Sequence, residues 1–357
     1  MRPQFEEISK MMSQPRLDDE SLKLWLKDSR ELKSVKRLQG DASTRRYYRV
    51  VFSKSGESYI LMKMEDFTDL GELLPFLEVQ KFLTRVGVSV PNVYDFDPGL
   101  GVVLLEDLGD TTLLHRLKEV SNFETERLIY QCAVDLLIDF QINADPSKHP
   151  NEKVGGFALR FDFEKLFWEV SFTIEHFYEL YLKRQLKNAD RAVLIDGFTD
   201  ICNKIAEYPV VFTHRDYHSR NIMITGSDLR SRERAVLIDF QDARMGPPQY
   251  DLASLLKDSY YQLDEKQVEG LVGYYLNQYE ERTGQKIDRT KFLYVFDLMC
   301  LQRSFKAIGS FASFLNRRSD ATYLKYIGNT FESIRRILLK YPQYSALREV
   351  LFYYYYF

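Results

Sequence analysis

His214-Arg215-Asp216-Tyr217-His218-Ser219-Arg220-Asn221, followed by Ile238-Asp239-Phe240-Gln241-Asp242, decides how this chain is read. In chemical terms the two segments hold a carboxylate, an amide five residues later, and a second carboxylate at the end of an apolar run. Moving a phosphoryl group from a nucleotide to a hydroxyl needs a carboxylate to take the hydroxyl proton. It also needs an amide oxygen and another carboxylate to hold magnesium against the phosphates. The order H-R-D-x-x-x-x-N, strand, D-F-x supplies all three. Asp216 is therefore the candidate base, and Asn221 and Asp239 are the candidate magnesium ligands.

The flanks support this placement. Tyr208–Thr213 reads as a short buried strand entering the loop, Ile222–Thr225 as a strand leaving it, and Ala235–Ile238 as a third apolar run. Gly226-Ser227-Asp228 is a polar turn between the last two, so a hairpin would bring Asn221 and Asp239 to one rim. Two other readings stay open. His214-x-Asp216-x-His218 has the alternate spacing of a metal site, although the remaining histidines form no cluster with it. A nucleotide-binding chain without catalysis would carry the same polar positions.

The chain has 357 residues, 45% hydrophobic and 28% charged, enough for one large or two lobed domains. A net charge of −3 offers no general attraction to nucleic acid or anionic membrane. Cys132, Cys202 and Cys300 lie far apart and suit reduced thiols in the cytoplasm. Met1–Arg16 has no apolar core of the signal-peptide kind, and no run approaches membrane-spanning length. No obligatory protein partner is indicated. The aromatic tail 352–357 is expected to pack on the body.

Leu17–Lys33 reads as a leading helix with Asp18, Asp19 and Glu20 near its start. Strand-like runs follow at Val35–Gln39, Arg46–Phe52, Tyr59–Met64, Asn92–Phe96 and Val102–Leu105, with a helix over Leu70–Val86. After Glu106 the periodicity becomes helical, as in Leu128, Ile129, Cys132, Ala133, Leu136, Leu137 and Phe140. The expected class is α+β and bilobal. A small antiparallel-sheet lobe over residues 1–106 would bind the nucleotide phosphates. A larger, mainly helical lobe over 107–357 would carry the catalytic loop and substrate site.

A charge inside the apolar strand Tyr59-Ile60-Leu61-Met62-Lys63-Met64 is costly unless partnered. A strand lysine that pairs with a helix glutamate and reaches the nucleotide phosphates meets that cost. Glu78 is the candidate partner and Glu72 the fallback; an exposed lysine on an edge strand is the alternative. No Walker-type glycine loop occurs. Gly40-Asp41-Ala42-Ser43-Thr44-Arg45 lies between two strands where a phosphate-covering loop belongs, and its amides and hydroxyls, with Arg45 and Arg46, suit an anion.

Together these residues resemble the aminoglycoside phosphotransferase and choline kinase superfamily, small-molecule kinases with a protein-kinase-like fold, from about Leu38 to Leu339. Gly40-Asp41-Ala42-Ser43 with Arg45-Arg46-Tyr47, Leu104–Gly109, Ile238–Ala243, Tyr250-Asp251-Leu252 and Leu301–Lys306 are similar to bacterial anomeric amino-sugar kinases of cell-wall recycling. The resemblance implies ATP as phosphate donor, Mg2+, and a sugar acceptor phosphorylated at C1, N-acetylmuramate or N-acetylglucosamine. Aminoglycoside, choline or homoserine acceptors are the alternatives. It further implies Asp216 as base, Asn221 and Asp239 on magnesium, and Lys63 with Gly40, Ser43 and Thr44 at the phosphates. The backbone around Leu105, Glu106 and Leu108 would hold adenine. Asp251 would support the loop, and Asp242 would orient a magnesium water or cap a turn.

Acceptor selection falls to the helical lobe. On a helix from about Lys291 to Leu315, Gln302, Arg303 and Lys306 stand at one-turn spacing. The cationic pair is expected to receive the lactyl carboxylate of a muramic acid, where an aminoglycoside site needs acidic groups. Trp168, Glu169 and Asp258 are further acceptor-site candidates.

Overall fold

Five strands open the described part of the chain: β1 (Leu32–Arg37), β2 (Arg46–Phe52), β3 (Ser58–Lys63), β4 (Val93–Asp97) and β5 (Val102–Glu106). They form one antiparallel sheet in the order β1-β2-β3-β5-β4. This is a computed structural model that describes residues 32–38, 45–52, 56–226 and 234–356. Most of the expected leading helix, and Gly40, Ser43 and Thr44 of the expected phosphate loop, lie outside the described residues. Lys33, expected at the end of that helix, lies in β1, which begins before Val35.

Strand alternation sends side chains to both faces of the sheet, and both faces are covered. Tyr48, Val50, Phe52, Leu61 and Val102 make an outer cluster, whereas Met62, Val103 and Leu105 join the main core. Helix α1 (Pro75–Arg85) packs Phe76, Leu77 and Phe82 into that main core. It begins with proline, whose missing N–H costs nothing in a first turn, and carries Glu78 there and Arg85 in its last turn. The β4–β5 turn requires glycine at 101: φ is +59°, and a Cβ would stand 2.4 Å from the Glu65 carbonyl oxygen. From β2, Arg49 clamps the segment after β5. Its Nε and Nη2 donate to Asp107 at 2.7 and 2.9 Å, and Nη1 donates to Asp110 at 2.7 Å.

Past Glu106 the chain is mainly helical, with α2 (Leu113–Lys118), α3 (Phe123–Asn143), α4 (Phe163–Thr173) running into a π-helical stretch Ile174–Tyr181, and α5 (Asn188–Ala206). Asn122 and Asp162 cap α3 and α4 by accepting from the Thr125 and Lys165 amides. Four short strands follow: β6 (Val211–Thr213), β7 (Ile222–Thr225), β8 (Arg234–Leu237) and β9 (Arg244–Gly246). They pair as β6–β9 and β7–β8. Helices α6 (Gln249–Leu256), α7 (Glu265–Thr283), α8 (Arg289–Arg318), α9 (Ile327–Lys340) and α10 (Ser345–Tyr356) complete the body.

The 30-residue α8 is the axis of the helical part and touches α4, α5, α6 and α9. Gly309 lets it approach α4, since a Cβ there would stand 2.3 Å from the Thr173 hydroxyl. The aromatic tail does pack on the body. Tyr354 donates to Asp190 and accepts from the Lys187 amide, and Tyr355 stacks on Phe331 at 4.1 Å. Among the described residues no helix is long and apolar enough to cross a membrane.

Candidate active site

The loop 214–221 hangs between β6 and β7, and its shape is set by buried groups beneath it. Asp251, fully buried at the start of α6, accepts from the backbone N–H of His214 at 2.6 Å and of Arg215 at 3.0 Å. Burial pushes the Asp251 carboxyl up to about 7 against those two donors, which lower it. Tyr217 is buried and donates to the Ala133 carbonyl at 2.7 Å. Asp258 accepts from the Ser219 amide at 2.9 Å and from its hydroxyl. Arg215 (φ +83°) and Asp239 (φ +66°) hold left-handed backbone. Non-glycine residues seldom adopt it, and it persists where surrounding contacts over-determine it.

Antiparallel pairing of β7 with β8, Ile222 opposite Leu237, brings Asn221 beside Asp239. The Asn221 amide nitrogen donates to the Asp216 carbonyl at 2.9 Å and lies 3.5 Å from Asp239 Oδ2. That leaves the Asn221 amide oxygen on the side away from the loop backbone. Gln241 donates to Asp239 Oδ1 at 2.9 Å. One amide oxygen and one carboxylate suit magnesium, which keeps several waters and takes its other ligands from phosphate. Among the described residues no three His, Cys, Asp or Glu gather into a metal cage. The metal reading of His214-x-Asp216-x-His218 is thereby set aside. His214 is buried, its Nε2 is 3.0 Å from the Ile238 carbonyl, and burial lowers its pKa to about 4. As the neutral ring it braces the strand end that carries Asp239.

Asp216 is one-third exposed, with Lys306 Nζ 3.8 Å from Oδ1 and Arg215 Nε 3.8 Å from Oδ2. Burial alone would raise its carboxyl, but Lys306, Arg215 and Arg303 outweigh it and hold the group well below the usual carboxylate range. Asp216 opens onto a pocket of about 200 Å³ whose wall includes His218, Ser254, Tyr260, Lys306 and Phe311. A second cavity of about 430 Å³ lies against the sheet. Its lining includes Ile60, Leu105, Glu106 and Leu108 from the sheet and the segment after it, and Asn221 and Asp239 from the β7–β8 hairpin ends. Asp216 stands on the wall of the smaller hollow and Asn221 and Asp239 on the wall of the larger, with the Asn221 amide donating to the Asp216 carbonyl between them, an arrangement able to hold a hydroxyl compound on one side and a nucleotide on the other.

Several sequence expectations are corrected here. Lys63 faces the outer side of the sheet with Leu61, and its ammonium donates to the Met64 carbonyl at 3.0 Å and the Leu100 carbonyl at 2.5 Å. Glu78 is not its partner; it accepts from the Gly155 amide at 2.8 Å, and Glu72 pairs with Lys81 instead. Gln302 is fully buried and donates to the Leu166 carbonyl and to Glu169. Glu169 is 2% exposed and stands behind Lys306 at 3.8 Å, outside the pocket wall. Asp258 borders the pocket, but both its oxygens are engaged, Oδ2 by Ser219 and Oδ1 by the Tyr260 amide. Trp168 is 55% exposed on the surface under the Lys165 ammonium, away from the pocket. Asp242 pairs with Arg215 at 2.6 Å.

Arg303 is a brace. Its Nη1 donates to the Arg215 carbonyl at 2.8 Å, its Nη2 to the Ser254 hydroxyl at 2.5 Å, and its guanidinium lies 4.2 Å over the Tyr250 ring. Arg303→Ala should therefore cost about 1.5–3 kcal/mol of stability, the scale of a lost charged hydrogen bond, and lower turnover alike for every acceptor. Thermal melting and parallel kinetics on charged and neutral acceptors check this. A KM increase confined to carboxylate-bearing acceptors, with unchanged melting, would return Arg303 to the substrate-reading role.

Tyr47, Ile60, Phe76 and Met223, none of which the sequence marks as a site residue, also line the larger cavity. Phe76 stacks on Phe240 at 5.1 Å and ties α1 to the segment carrying Asp239. Only strand alternation signalled Tyr47 and Ile60.

The N-acetylmuramate/N-acetylglucosamine kinase of Neisseria meningitidis serogroup B is 30% identical over 313 residues, 87% of each chain. The like-named protein of Pseudomonas aeruginosa is 30% identical, covering 87% of this chain and 86% of its own. Among solved structures, the GDP complex of aminoglycoside 2'-phosphotransferase-IIIa superposes with a TM-score of 0.57 at 16% identity, over 88% of this chain and 95% of that one. A choline kinase from Streptococcus pneumoniae does so with a TM-score of 0.55 at 15% identity, over 88% and 96%. The model of the phosphotransferase enzyme family matches residues 34–287, and the chain belongs to that family as a kinase.

Proposed function

We propose that this kinase transfers the γ-phosphoryl group of ATP to a sugar, at the anomeric C1 hydroxyl of N-acetylmuramate or N-acetylglucosamine. The observation that carries the reading is Asp216 on the wall of one hollow and Asn221 and Asp239 on the wall of the other, joined through the Asn221 amide. Relatives named as kinases of these two sugars, alike over most of the chain, support the acceptor class. Nucleotide complexes of proteins with the same fold, one with ADP and one with GDP, support a purine nucleotide as donor. In this reading the chain up to residue 106 binds the nucleotide and residues 107–357 carry the catalytic loop and acceptor pocket.

Asp216 accepts the proton of the attacking hydroxyl as that oxygen bonds to the γ-phosphorus, and the bond to the bridging oxygen breaks to release ADP. Asn221 and Asp239 would hold magnesium, which neutralises charge on the phosphates when bound. Lys306, kept partly dry and backed by Glu169, holds Asp216 ionised and lines the acceptor pocket.

Phosphorus NMR of products from N-acetylmuramate, N-acetylglucosamine, kanamycin, choline and homoserine tests this. An anomeric sugar phosphate is the expected product. Faster turnover of kanamycin or choline would overturn the acceptor class, and ATP consumed with none of the five would reject all of these acceptors.

A further inference from the structure

We propose that Arg45 supplies the cation that meets the nucleotide phosphates, where a kinase of this general design uses a strand lysine. The inference rests on the nucleotide site proposed above.

It starts from strand parity. On β3, Ile60 lines the larger cavity and Met62 joins the main core, whereas Leu61 belongs to the outer cluster. Inner and outer positions alternate, so Lys63 is outer, and its ammonium is already held by two carbonyls. The inner rung from which a strand lysine would reach the phosphates is Met62, fully buried and uncharged. β3 therefore sends no cation into the cleft.

The neighbouring strand does. Tyr47 lies opposite Met62 and lines the cavity, and Arg46 lies opposite Lys63 on the outer face. One residue further, Arg45 returns to the inner side. Its Nη1 stands 3.9 Å from Asp239 Oδ1, with its side chain 22% exposed. That separation is an attraction between charges, longer than a hydrogen bond. It places a guanidinium beside the carboxylate proposed to hold magnesium, where the phosphates would lie. A guanidinium presents its donors as a planar fork that matches phosphate oxygens, so it can do a strand lysine's work from one rung away. Among the described residues Arg220 also lines the cavity, but its guanidinium lies 4.8 Å over the Tyr260 ring, which borders the acceptor pocket.

Calorimetry with adenosine, MgADP and a magnesium-bound non-hydrolysable ATP analogue, on wild type, Arg45→Met, Arg45→Lys and Lys63→Met, tests this. Arg45→Met should bind the ATP analogue about 10- to 150-fold more weakly, the range of a lost charge-assisted contact. Its adenosine affinity should be unchanged, which also reports that the variant is folded. Arg45→Lys should recover part of the loss, and Lys63→Met should bind all three ligands as wild type does. Wild-type affinity for the ATP analogue in Arg45→Met, or a phosphate-dependent loss in Lys63→Met, would overturn the assignment. A wild-type protein that binds no nucleotide would remove the nucleotide site itself, and Arg45's role with it.

Discussion

Asp216→Asn is expected to lower turnover by about two to four orders of magnitude, the usual scale for a positioned general base, while nucleotide affinity stays close to wild type. The substitution keeps the size and polarity of the side chain. The loop beneath it is held by Asp251, Tyr217 and Asp258, none of which touches the Asp216 carboxylate. What disappears is a group able to take a proton. The surroundings also fix the pH behaviour. Lys306, Arg215 and Arg303 hold the carboxyl well below the usual carboxylate range, so in wild type it is ionised at neutral pH. Replacing Lys306 by Gln removes the charge with the largest lowering effect, raises the Asp216 pKa, and moves the acid limb of the rate profile to higher pH. Single-turnover rates across pH read both effects. A variant with Asn at 216 that keeps near-wild-type turnover would remove the base from this loop.

Asp239→Ala should abolish the magnesium dependence of nucleotide binding and reduce turnover by at least about 10²–10³-fold, the loss seen when one electrostatic stabiliser is deleted. A magnesium ion takes few protein oxygens, so losing the carboxylate proposed to hold it would be felt in full. Asn221 would remain, but an amide oxygen carries no net charge to offset the ion. Asp242 is a poor substitute, because its carboxylate is engaged by Arg215 at 2.6 Å. Calorimetry with and without magnesium checks the result. Tight, metal-dependent binding in the variant would locate the ion elsewhere.

The loop 214–221 was legible as a unit because the residues proposed for its chemistry are nearly consecutive. The β7–β8 hairpin was legible as two apolar runs around a polar turn, and it brings Asn221 to Asp239 as such a hairpin must. The side of the sheet on which Lys63 falls was not legible. A sheet with one wet face shows a clear alternation, but β3 is covered on both faces, so Tyr59–Met64 reads as unbroken apolar sequence around one lysine. The residue type suggested a role that the parity denies. Helical spacing likewise put Arg303 and Lys306 on one face of α8 without revealing what each touches. The Arg215 carbonyl that occupies Arg303 comes from 88 residues away, beyond any local pattern. Glu78 failed for the same reason, since its partner Gly155 lies 77 residues on.

Met62 on the inner face of β3 has a consequence for chemical labelling. Electrophilic nucleotide reagents that acylate the strand amine of kinases need a primary amine beside the bound phosphates. On β3 the inner positions are Ser58, Ile60 and Met62, while the amine of Lys63 is turned to the far side and held by two carbonyls. A nucleotide reagent aimed at an amine on β3 would find none on the inner face, and any label it left would have to fall on another lysine.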